Sequence, residues 1–409
     1  MEKFGKVYIR LKTRNPADDL ELIPSARFST LDHKWYDSDG NIHSEFEKYH
    51  GRDISLSFRT TQYDKNGVLV NFQGAIRAPC KLGEICDQDF EGVDAAGKED
   101  IEIIRGFNLI PEKFVDHAAR RFLEMTAFLA AIHAGSKLKD LELHRLCNIA
   151  LFLFDDDMEK LTDLKFDSFH EFLKSVNVMM KKNSETVEYS KETVPELLLN
   201  HLKWFQVFEK KLSIAEGGTG RGKCVRETLM ENIEAICIET CVDWNEERSI
   251  LFHSAQEELR VAGSGSIFTL EMVIFEAKIN VKEEIRNTFL FKWFVHRIAC
   301  HIAMTNDLIS YRKEAEAGRA SCNMVYFLHY HKGLSLQEAM QKVLDESNRL
   351  AVLLVETGRM LTNLYQNDYE LKRFVNKAKS VAYGCVQWYP MTERYHKGFH
   401  YDCILEHSV

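Results

Sequence analysis

A stretch of nine residues, 306–314, combines side chains that could bind a metal ion. Asn306, Ser310 and Glu314 follow one another at intervals of four residues. In a helix of about 3.6 residues per turn, this spacing places all three side chains on one face. Their carboxamide, hydroxyl and carboxylate oxygens suit a hard divalent cation such as Mg²⁺. Because Asn and Ser disfavour the middle of a helix, a metal site is favoured over the alternative, a solvated polar face.

A second oxygen-rich stretch begins at residue 155. Six apolar residues, 149–154, lead directly into Asp155, Asp156 and Asp157, and Glu159 follows one turn after Asp155. Neighbouring carboxylates repel one another, and burying them without partners is costly. Bound cations would relieve both costs. The alternative is an exposed acidic helix end, which the apolar residues before it disfavour. Two such faces predict a divalent-metal cluster, and Mg²⁺ leaves coordination positions for the phosphate oxygens of a substrate.

The sequence around these stretches predicts long helices. From about residue 110 onward, apolar residues recur with a helical period, and several segments are apolar on most faces, as in a buried bundle. Six prolines in 409 residues also suit long helices. We expect interruptions at 216–223, at 263–266 and at Gly318. The predicted fold is therefore all-α, a multi-helix bundle over residues 106–409.

The first 105 residues have a different pattern. Short runs of β-branched and aromatic residues occupy 7–13, 54–61 and 68–74. Between the last two runs, 64–67 reads Asp-Lys-Asn-Gly, which is typical of a hairpin turn. We predict that 1–105 is a small N-terminal extension that is mixed or β-containing, and we assign it no role.

The composition excludes several classes of function. The chain has 45% hydrophobic residues, a net charge of −9 and a pI of about 6.0. These values argue against nonspecific binding to nucleic acid or to anionic membranes. No run of apolar residues approaches a membrane span, and no signal peptide is visible. Ten Cys without disulfide-framework spacing fit a reducing compartment, so we expect a cytoplasmic protein.

Four elements of the sequence, in this order, resemble the class I terpene synthases of the single-domain type found in microbes and octocorals. The acidic stretch 155–159 and the triad 306–314 are similar to that family's two metal motifs. Arg260 precedes the triad by 46 residues, as the family's diphosphate-sensing Arg does. Near the C-terminus, Trp388 precedes an Arg-Tyr pair by six residues, which is also similar to the family. The resemblance covers roughly residues 105–409.

The resemblance implies a role for each of these side chains. Three Mg²⁺ ions, with Mn²⁺ as a substitute, would be held by two sets of ligands. The first set is Asp155, Asp156 and Glu159, and the second is Asn306, Ser310 and Glu314. The substrate's diphosphate would contact Arg260, Lys313, Arg394 and Tyr395. Ser264, or alternatively Gly265, would stand at the family's effector position. Gly263 departs from the family at the position of a linker acid, so the relay between these residues is expected to differ here.

The implied reaction is the ionisation of a prenyl diphosphate followed by cyclisation of the carbocation. Aromatic faces stabilise positive charge, and Phe152 and Trp388 are the candidate cavity walls, with Phe268 a weaker one. We expect geranylgeranyl diphosphate as substrate and a cyclic diterpene as product, with farnesyl diphosphate and a sesquiterpene as the alternative. The resemblance also allows a homodimer.

Other interpretations of the sequence are weaker. Residues 217–224 mimic a phosphate-binding loop, but Cys224 replaces its Ser or Thr and no strand precedes the loop. Cys237 and Cys241 lack a matching pair for zinc. A prenyl-chain elongating transferase would need a second Asp-rich motif where the triad stands. A binding protein without catalysis is disfavoured by the intact ligands.

Overall fold

The computed structural model describes most of the helical part of the chain and several strands. The described residues are 27–29, 34–36, 53–81, 93–107, 128–129, 132–133, 140–158, 161, 166–182, 194–241, 253–316, 322–389, 392, 395 and 399–405. The chain divides into two compact units. Unit 1 comprises Met1–Phe90, Ala130–Ser136 and Val281–Val409, and unit 2 comprises Glu91–Leu129 and Lys137–Asn280.

Unit 2 is helical throughout its described part. Its helices are α1 (Val93–Arg105), α2 (Glu142–Met158), α3 (Phe166–Lys182), α4 (Glu196–Glu216), α5 (Gly222–Cys241), α6 (His253–Gly263) and α7 (Ser266–Glu276). One hydrophobic core joins all of these helices except α6. Its aromatic centre is Phe154, whose ring stacks on Phe172 at 5.6 Å and meets Phe205 edge-on at 6.0 Å. Of the predicted interhelical loop at 217–224, residues 217–221 connect two helices, whereas 222–224 already belong to α5. α4 ends at Glu216 and is followed by Gly217 in the left-handed conformation (φ 59°).

Unit 1 combines helices with short strands. Its helices are α8 (Glu283–Arg286), α9 (Phe289–Glu316), α10 (Met324–Tyr326), a π-helix (Phe327–His331), α11 (Leu336–Leu364) and α12 (Tyr369–Trp388). Rings of Phe291 and Phe374 pack at 4.7 Å between α9 and α12. Between α9 and α11, His301 Nδ1 donates to the Ser347 carbonyl at 3.1 Å. Burial lowers the pKa of His301 to about 4, so this side chain is neutral near pH 7.

The strands of unit 1 form two antiparallel sheets. β1 (Arg27–Ser29) pairs with β2 (Lys34–Tyr36). In the larger sheet, β3 (Asp53–Tyr63) lies between β4 (Leu69–Lys81) and the C-terminal strand β5 (Phe399–Leu405). The turn between β3 and β4 is closed by Asp64, whose carboxylate accepts from the main-chain N–H groups of Asn66 and Val68 at 2.8 Å each.

The local sequence explains where several helices begin. Ser335 and Glu338 form a reciprocal capping box at the start of α11. Asp368 caps α12 by accepting from Leu371 N at 2.8 Å. A short interruption separates α8, which ends at Arg286, from α9, which begins at Phe289. The Thr288 hydroxyl accepts from Phe291 N at 3.3 Å and so caps the start of α9.

The predicted all-α bundle with a β-containing N-terminal part is confirmed. The predicted strands at 54–61 and 68–74 lie within β3 and β4, and the turn at 64–67 joins them. The predicted strand at 7–13 and the predicted break at Gly318 lie outside the described residues. The division at residue 105 stays a prediction. Within the described part of the chain, no helix is both long enough and apolar enough to cross a membrane.

A buried carboxyl at the end of α7 makes the stability of unit 2 depend on pH. Burial raises the pKa of Glu276 from 4.5 to about 7, and the nearby Asp140 and Glu142 add to the shift. Because the folded-state pKa exceeds the unfolded value, stability falls as pH rises from about 4.5 through about 7. We predict that Glu276→Gln stabilises the protein at pH 8, by about 2 kcal/mol, and changes little at pH 5.

Thermal unfolding of the wild type and the variant at both pH values tests this prediction. Glu258→Gln, at an exposed position on α6, is the matched control and should leave both melting temperatures unchanged. An equal effect of Glu276→Gln at pH 5 and pH 8 would contradict the assigned titration.

Candidate active site

The acidic stretch of unit 2 occupies the last turn of α2. Asp155 and Asp156 are half-buried, whereas Asp157 is only 6% exposed. His201 on α4 donates from Nε2 to Asp157 Oδ2 at 3.0 Å, and the His201 ring is itself fully buried. The helix macrodipole disfavours carboxylates at a C-terminal end. The hydrogen bond from His201 therefore stabilises Asp157 at the end of α2, where the helix dipole is unfavourable for a carboxylate.

The triad of unit 1 occupies the last three turns of α9. Ser310 is 1% exposed, while Asn306 and Glu314 are half-buried. Lys313, the neighbour of Glu314, is also half-buried. The four-residue spacing predicted a helix here, and α9 runs unbroken through all three positions. Two carboxamide or hydroxyl oxygens and one carboxylate along a single helix make a donor set that fits Mg²⁺.

Asn323, which follows α9, ties the triad to the next element. Its side-chain nitrogen donates to Glu314 Oε2 at 2.9 Å and to the Asp307 carbonyl at 2.8 Å, and it lies 3.4 Å from Ser310 Oγ. Its side-chain oxygen accepts from Val325 N at 2.9 Å and caps α10. These contacts restrain the Glu314 carboxylate through its Oε2 atom. Asn323 is 1% exposed, so its hydrogen bonds are shielded from solvent.

The C-terminal aromatic residues meet the triad within unit 1. Asn306 donates from Nδ2 to the Tyr395 hydroxyl at 3.2 Å. Of the two polar atoms of this side chain, Oδ1 is the one whose lone pairs suit a cation. The Tyr395 ring meets Trp388 edge-on at 5.7 Å, and both side chains are buried. The structure thus brings together three residues that the sequence placed in one site, Asn306, Tyr395 and Trp388.

The break between α6 and α7 holds Arg260 and Ser264. Arg260 is half-buried on the last turn of α6. The Ser264 hydroxyl donates to the Val261 carbonyl at 2.8 Å and lies 2.7 Å from Ser266 Oγ. Asn232 on α5 donates to the main-chain carbonyls of Ala262 and Gly263 at 2.9 and 3.0 Å. The shape of the break is therefore set by α5.

Gly263 stands where the family resemblance implied a linker acid, and a different acid lies beside it. A Cβ on Gly263 would lie 2.9 Å from the carboxyl carbon of Glu239, which reaches across from α5. A side chain at 263 would have to displace this carboxyl group, and glycine avoids the clash. A carboxylate thus occupies the space beside Gly263 even though residue 263 itself has no side chain.

Two predicted site residues, Glu159 and Arg394, lie outside the described residues. Among the candidate wall residues, Phe152 is half-buried and meets Phe128 edge-on at 6.5 Å, and Phe268 is buried in the core of unit 2. In the described ranges, no three His, Cys, Asp or Glu side chains converge as a metal-binding group. The predicted ligands combine acids with an amide and a hydroxyl.

Sequence reasoning missed the supporting residues His201, Asn232 and Glu239, and gave Asn323 no role. Each lies far along the chain from the residue it contacts, so helical spacing offers no signal for it. For Asn323, the cap pattern before α10 was a usable signal. For Glu239, the only hint was the missing side chain at Gly263.

Comparisons with known proteins identify the family of the chain. Residues 147–350 match the family described as terpene synthase family 2, C-terminal metal binding. Germacrene A synthase from Nostoc punctiforme is 23% identical over 320 residues, which cover 74% of this chain and 90% of that protein. A (3S,6E)-nerolidol synthase from Selaginella moellendorffii is 27% identical over 109 residues, which cover 26% of this chain and 30% of that protein.

Solved structures show the same fold at low sequence identity. A variant of cucumene synthase aligns with a TM-score of 0.60 at 15% identity, covering 74% of this chain and 97% of that chain. Hedycaryol synthase aligns with a TM-score of 0.58 at 14% identity, covering 74% and 93%. The fold is that of a class I terpenoid synthase helical bundle.

Fold, family match and relatives together show that this chain belongs to the class I terpene synthases, lyases that act on prenyl diphosphates. The matching family description also implies the use of a divalent metal.

The position of Asn323 leads to a prediction about metal use. Asn323→Ala removes the donor to Glu314 and the cap of α10, so we expect weaker Mg²⁺ binding by about tenfold or more and a loss of about 1–2 kcal/mol in stability. Asn323→Asp keeps a cap acceptor but loses the donor, so it should weaken Mg²⁺ binding while retaining most of the stability.

Diphosphate release at varied Mg²⁺ and thermal unfolding separate these two effects. Asn363→Ala, an exposed asparagine on α11, is the control and should change neither. If Asn323→Asp shows wild-type Mg²⁺ dependence, Asn323 does not position Glu314.

Proposed function

We propose that this protein uses Mg²⁺ to ionise an acyclic prenyl diphosphate and then cyclises the carbocation to a cyclic terpene, releasing diphosphate. The observation that supports this proposal most directly is the arrangement on α9. Asn306, Ser310 and Glu314 share one helix, Tyr395 engages the amide nitrogen of Asn306, and Asn323 engages one oxygen of Glu314.

We propose that two sets of oxygen ligands hold three ions. The first set is Asp155, Asp156 and Glu159, with Asp155 as a bridging ligand, and the second is the α9 triad. When bound, Mg²⁺ supplies Lewis-acid stabilisation of the leaving diphosphate. His201 would keep Asp157 directed into the core, so that Asp155 and Asp156 are the acids of α2 that face a cation. Mn²⁺ would support the same chemistry.

Basic and hydroxyl donors would bind the diphosphate oxygens directly. Arg260, Lys313, Arg394 and Tyr395 are the proposed donors. The guanidinium group suits this role because it remains protonated and its fork matches two oxygens at once. Fixed donors of this kind stabilise charge as it develops on the leaving group. Ser264 lies at the α6–α7 break, where it would couple Arg260 to the substrate.

The remaining task of the protein is to protect a carbocation from water. A cavity lined by aromatic faces does so, because π-faces stabilise positive charge without reacting as bases. Phe152, one turn before the acids of α2, and Trp388, which is packed against Tyr395, are the proposed walls. Phe154 points into the core instead and packs there.

The chain length of the substrate has two candidates. The sequence alone favoured geranylgeranyl diphosphate and a diterpene product. The relatives are synthases of sesquiterpenes, including germacrene A and hedycaryol, which favours farnesyl diphosphate. Both substrates stay candidates, and the relatives favour farnesyl diphosphate over geranylgeranyl diphosphate. The elongating transferase lacks a second Asp-rich motif and stays disfavoured.

Incubation of the purified protein with Mg²⁺ and C10, C15 or C20 prenyl diphosphates tests the proposed function. Gas chromatography–mass spectrometry of the extract should show a cyclic hydrocarbon or alcohol that is formed from one of the three substrates. A longer prenyl diphosphate formed in the presence of isopentenyl diphosphate would instead identify an elongating transferase. Failure to release diphosphate from any of the three substrates would reject a catalytic role.

The assigned ligands make a sharper prediction. Asp155→Ala and Asn306→Ala should each reduce turnover by about a thousandfold or more, as expected when charge stabilisation at the leaving group is lost. Both side chains are half-buried, so helical circular dichroism should not change. Asp345→Ala and Asn363→Ala, at exposed positions on α11, are matched controls and should remain fully active. Wild-type turnover in either ligand variant would refute its role.

A further inference from the structure

The β3–β4 hairpin contacts α9 at its metal-binding end. Arg312 Nη1 donates to the Thr61 carbonyl at 2.7 Å, and its guanidinium lies 5.9 Å from the centre of the Tyr63 ring. Arg312 lies midway between Ser310 and Glu314 along α9. At about 100° per residue it therefore projects roughly 160–200° around the helix from both. The hairpin thus holds the side of α9 opposite its predicted ligands.

The turn of the same hairpin contacts the segment that follows the triad. Lys65 N donates to His329 Nε2 at 3.1 Å, and His329 Nδ1 donates to the Leu334 carbonyl at 2.7 Å. His329 is buried in the π-helix, a few residues after Asn323. The hairpin turn therefore supports the same short stretch of chain that fixes Glu314.

Strand β4 is fastened to α11 along its outer edge. The Asn348 side chain accepts from Arg77 N at 2.7 Å and donates to the Ala75 carbonyl at 2.9 Å. Its amide group therefore makes the two hydrogen bonds that the backbone of an adjacent strand would make with β4. At Gly74, a Cβ would lie 2.5 Å from a methyl group of Leu344, so any larger residue would have to displace the Leu344 side chain. The edge of β4 is in this way covered, and the hairpin is joined to the helices by specific contacts.

The third strand connects the hairpin to the C-terminal part of the site. β5 pairs with β3 in an antiparallel register, with Phe399 opposite Thr60 and Leu405 opposite Ile54. The chain reaches β5 four residues after Tyr395, whose hydroxyl accepts from Asn306. β3 therefore touches α9 through its Thr61 carbonyl and anchors the segment that follows Tyr395.

We propose that the β3–β4 hairpin is part of the catalytic apparatus: it sets the rotation and position of α9, with Arg312 as the positioning residue, so that the triad can bind its cation. The inference rests on the proposed function of the triad. A helix that rotates by a few tens of degrees moves its side-chain oxygens out of coordination range, because Mg²⁺ demands near-ideal octahedral geometry. Contacts on the opposite side of α9 prevent that rotation without occupying any coordination position.

Loss of the hairpin contact should therefore weaken metal binding. We expect Arg312→Ala to reduce affinity for Mn²⁺ by about tenfold, the usual effect of removing a residue that orients a ligand. The measurement is the electron paramagnetic resonance signal of free Mn²⁺, titrated into full-length protein with inorganic diphosphate present. Arg312→Lys keeps the charge and one donor and should recover part of the affinity. Arg359→Ala, an exposed arginine on α11 paired with Glu356, is the matched control and should bind as wild type.

A second variant keeps the test valid if Arg312→Ala does not fold. Tyr63 is 51% exposed, so Tyr63→Ala should fold and should weaken Mn²⁺ binding by a few-fold. Because both side chains act through one contact, the double variant should bind no more weakly than Arg312→Ala alone. Wild-type Mn²⁺ affinity in Arg312→Ala or in Tyr63→Ala, or equal weakening by Arg359→Ala, would overturn the proposal.

The outcomes separate this inference from the proposed function. If the wild type releases no diphosphate from any prenyl diphosphate but Arg312→Ala still weakens Mn²⁺ binding, the proposed function fails and the positioning role stands. If the wild type is active and the Arg312 and Tyr63 variants change only the melting temperature, the hairpin is structural alone and the inference fails.

Discussion

Oxygen atoms that bind a cation must be held in fixed positions although they lie next to an apolar core. The contacts around the proposed site follow from that constraint. A partly buried amide, hydroxyl or carboxylate loses its hydration and needs a partner of its own. A helix cannot provide such partners, since its backbone groups are already paired. On α9 they come from elsewhere in the chain. Asn323 donates to one carboxylate oxygen of Glu314, and the Tyr395 hydroxyl accepts from the amide nitrogen of Asn306.

The same constraint explains the end of α2. Three successive acids at a helix C-terminus are opposed by one another and by the macrodipole. Asp157 is stabilised separately from the other two acids, because it is hydrogen-bonded to His201 inside the core. Below the acids, Phe154 packs between Phe172 and Phe205, which fixes the rotation of the helix. Asp155 and Asp156 remain half-buried, whereas Asp157 is buried. Hydrophobic packing and one buried hydrogen bond together distinguish Asp157 from the two acids that we propose as ligands.

Helical spacing was sufficient to predict the triad, because three oxygen-bearing side chains four residues apart share a face whatever surrounds them. The hairpin was also predictable, since the turn at 64–67 and the alternation on either side are local signals. The strand β5 was not, because its partner β3 lies more than 300 residues earlier in the chain. His201, Glu239 and Arg312 were missed for the same reason: each matters through a residue that is distant in sequence. A lone histidine or arginine in a helix gives no sign of its partner.

The central claim is that the triad on α9 binds a divalent cation together with diphosphate. Crystals of the protein grown with Mn²⁺ and inorganic diphosphate, measured at the manganese absorption edge, test it most directly. We predict an anomalous peak within coordination distance of Asn306 Oδ1, Ser310 Oγ and a carboxylate oxygen of Glu314, with diphosphate oxygens completing the shell. Manganese bound only elsewhere, with diphosphate away from α9, would contradict the account.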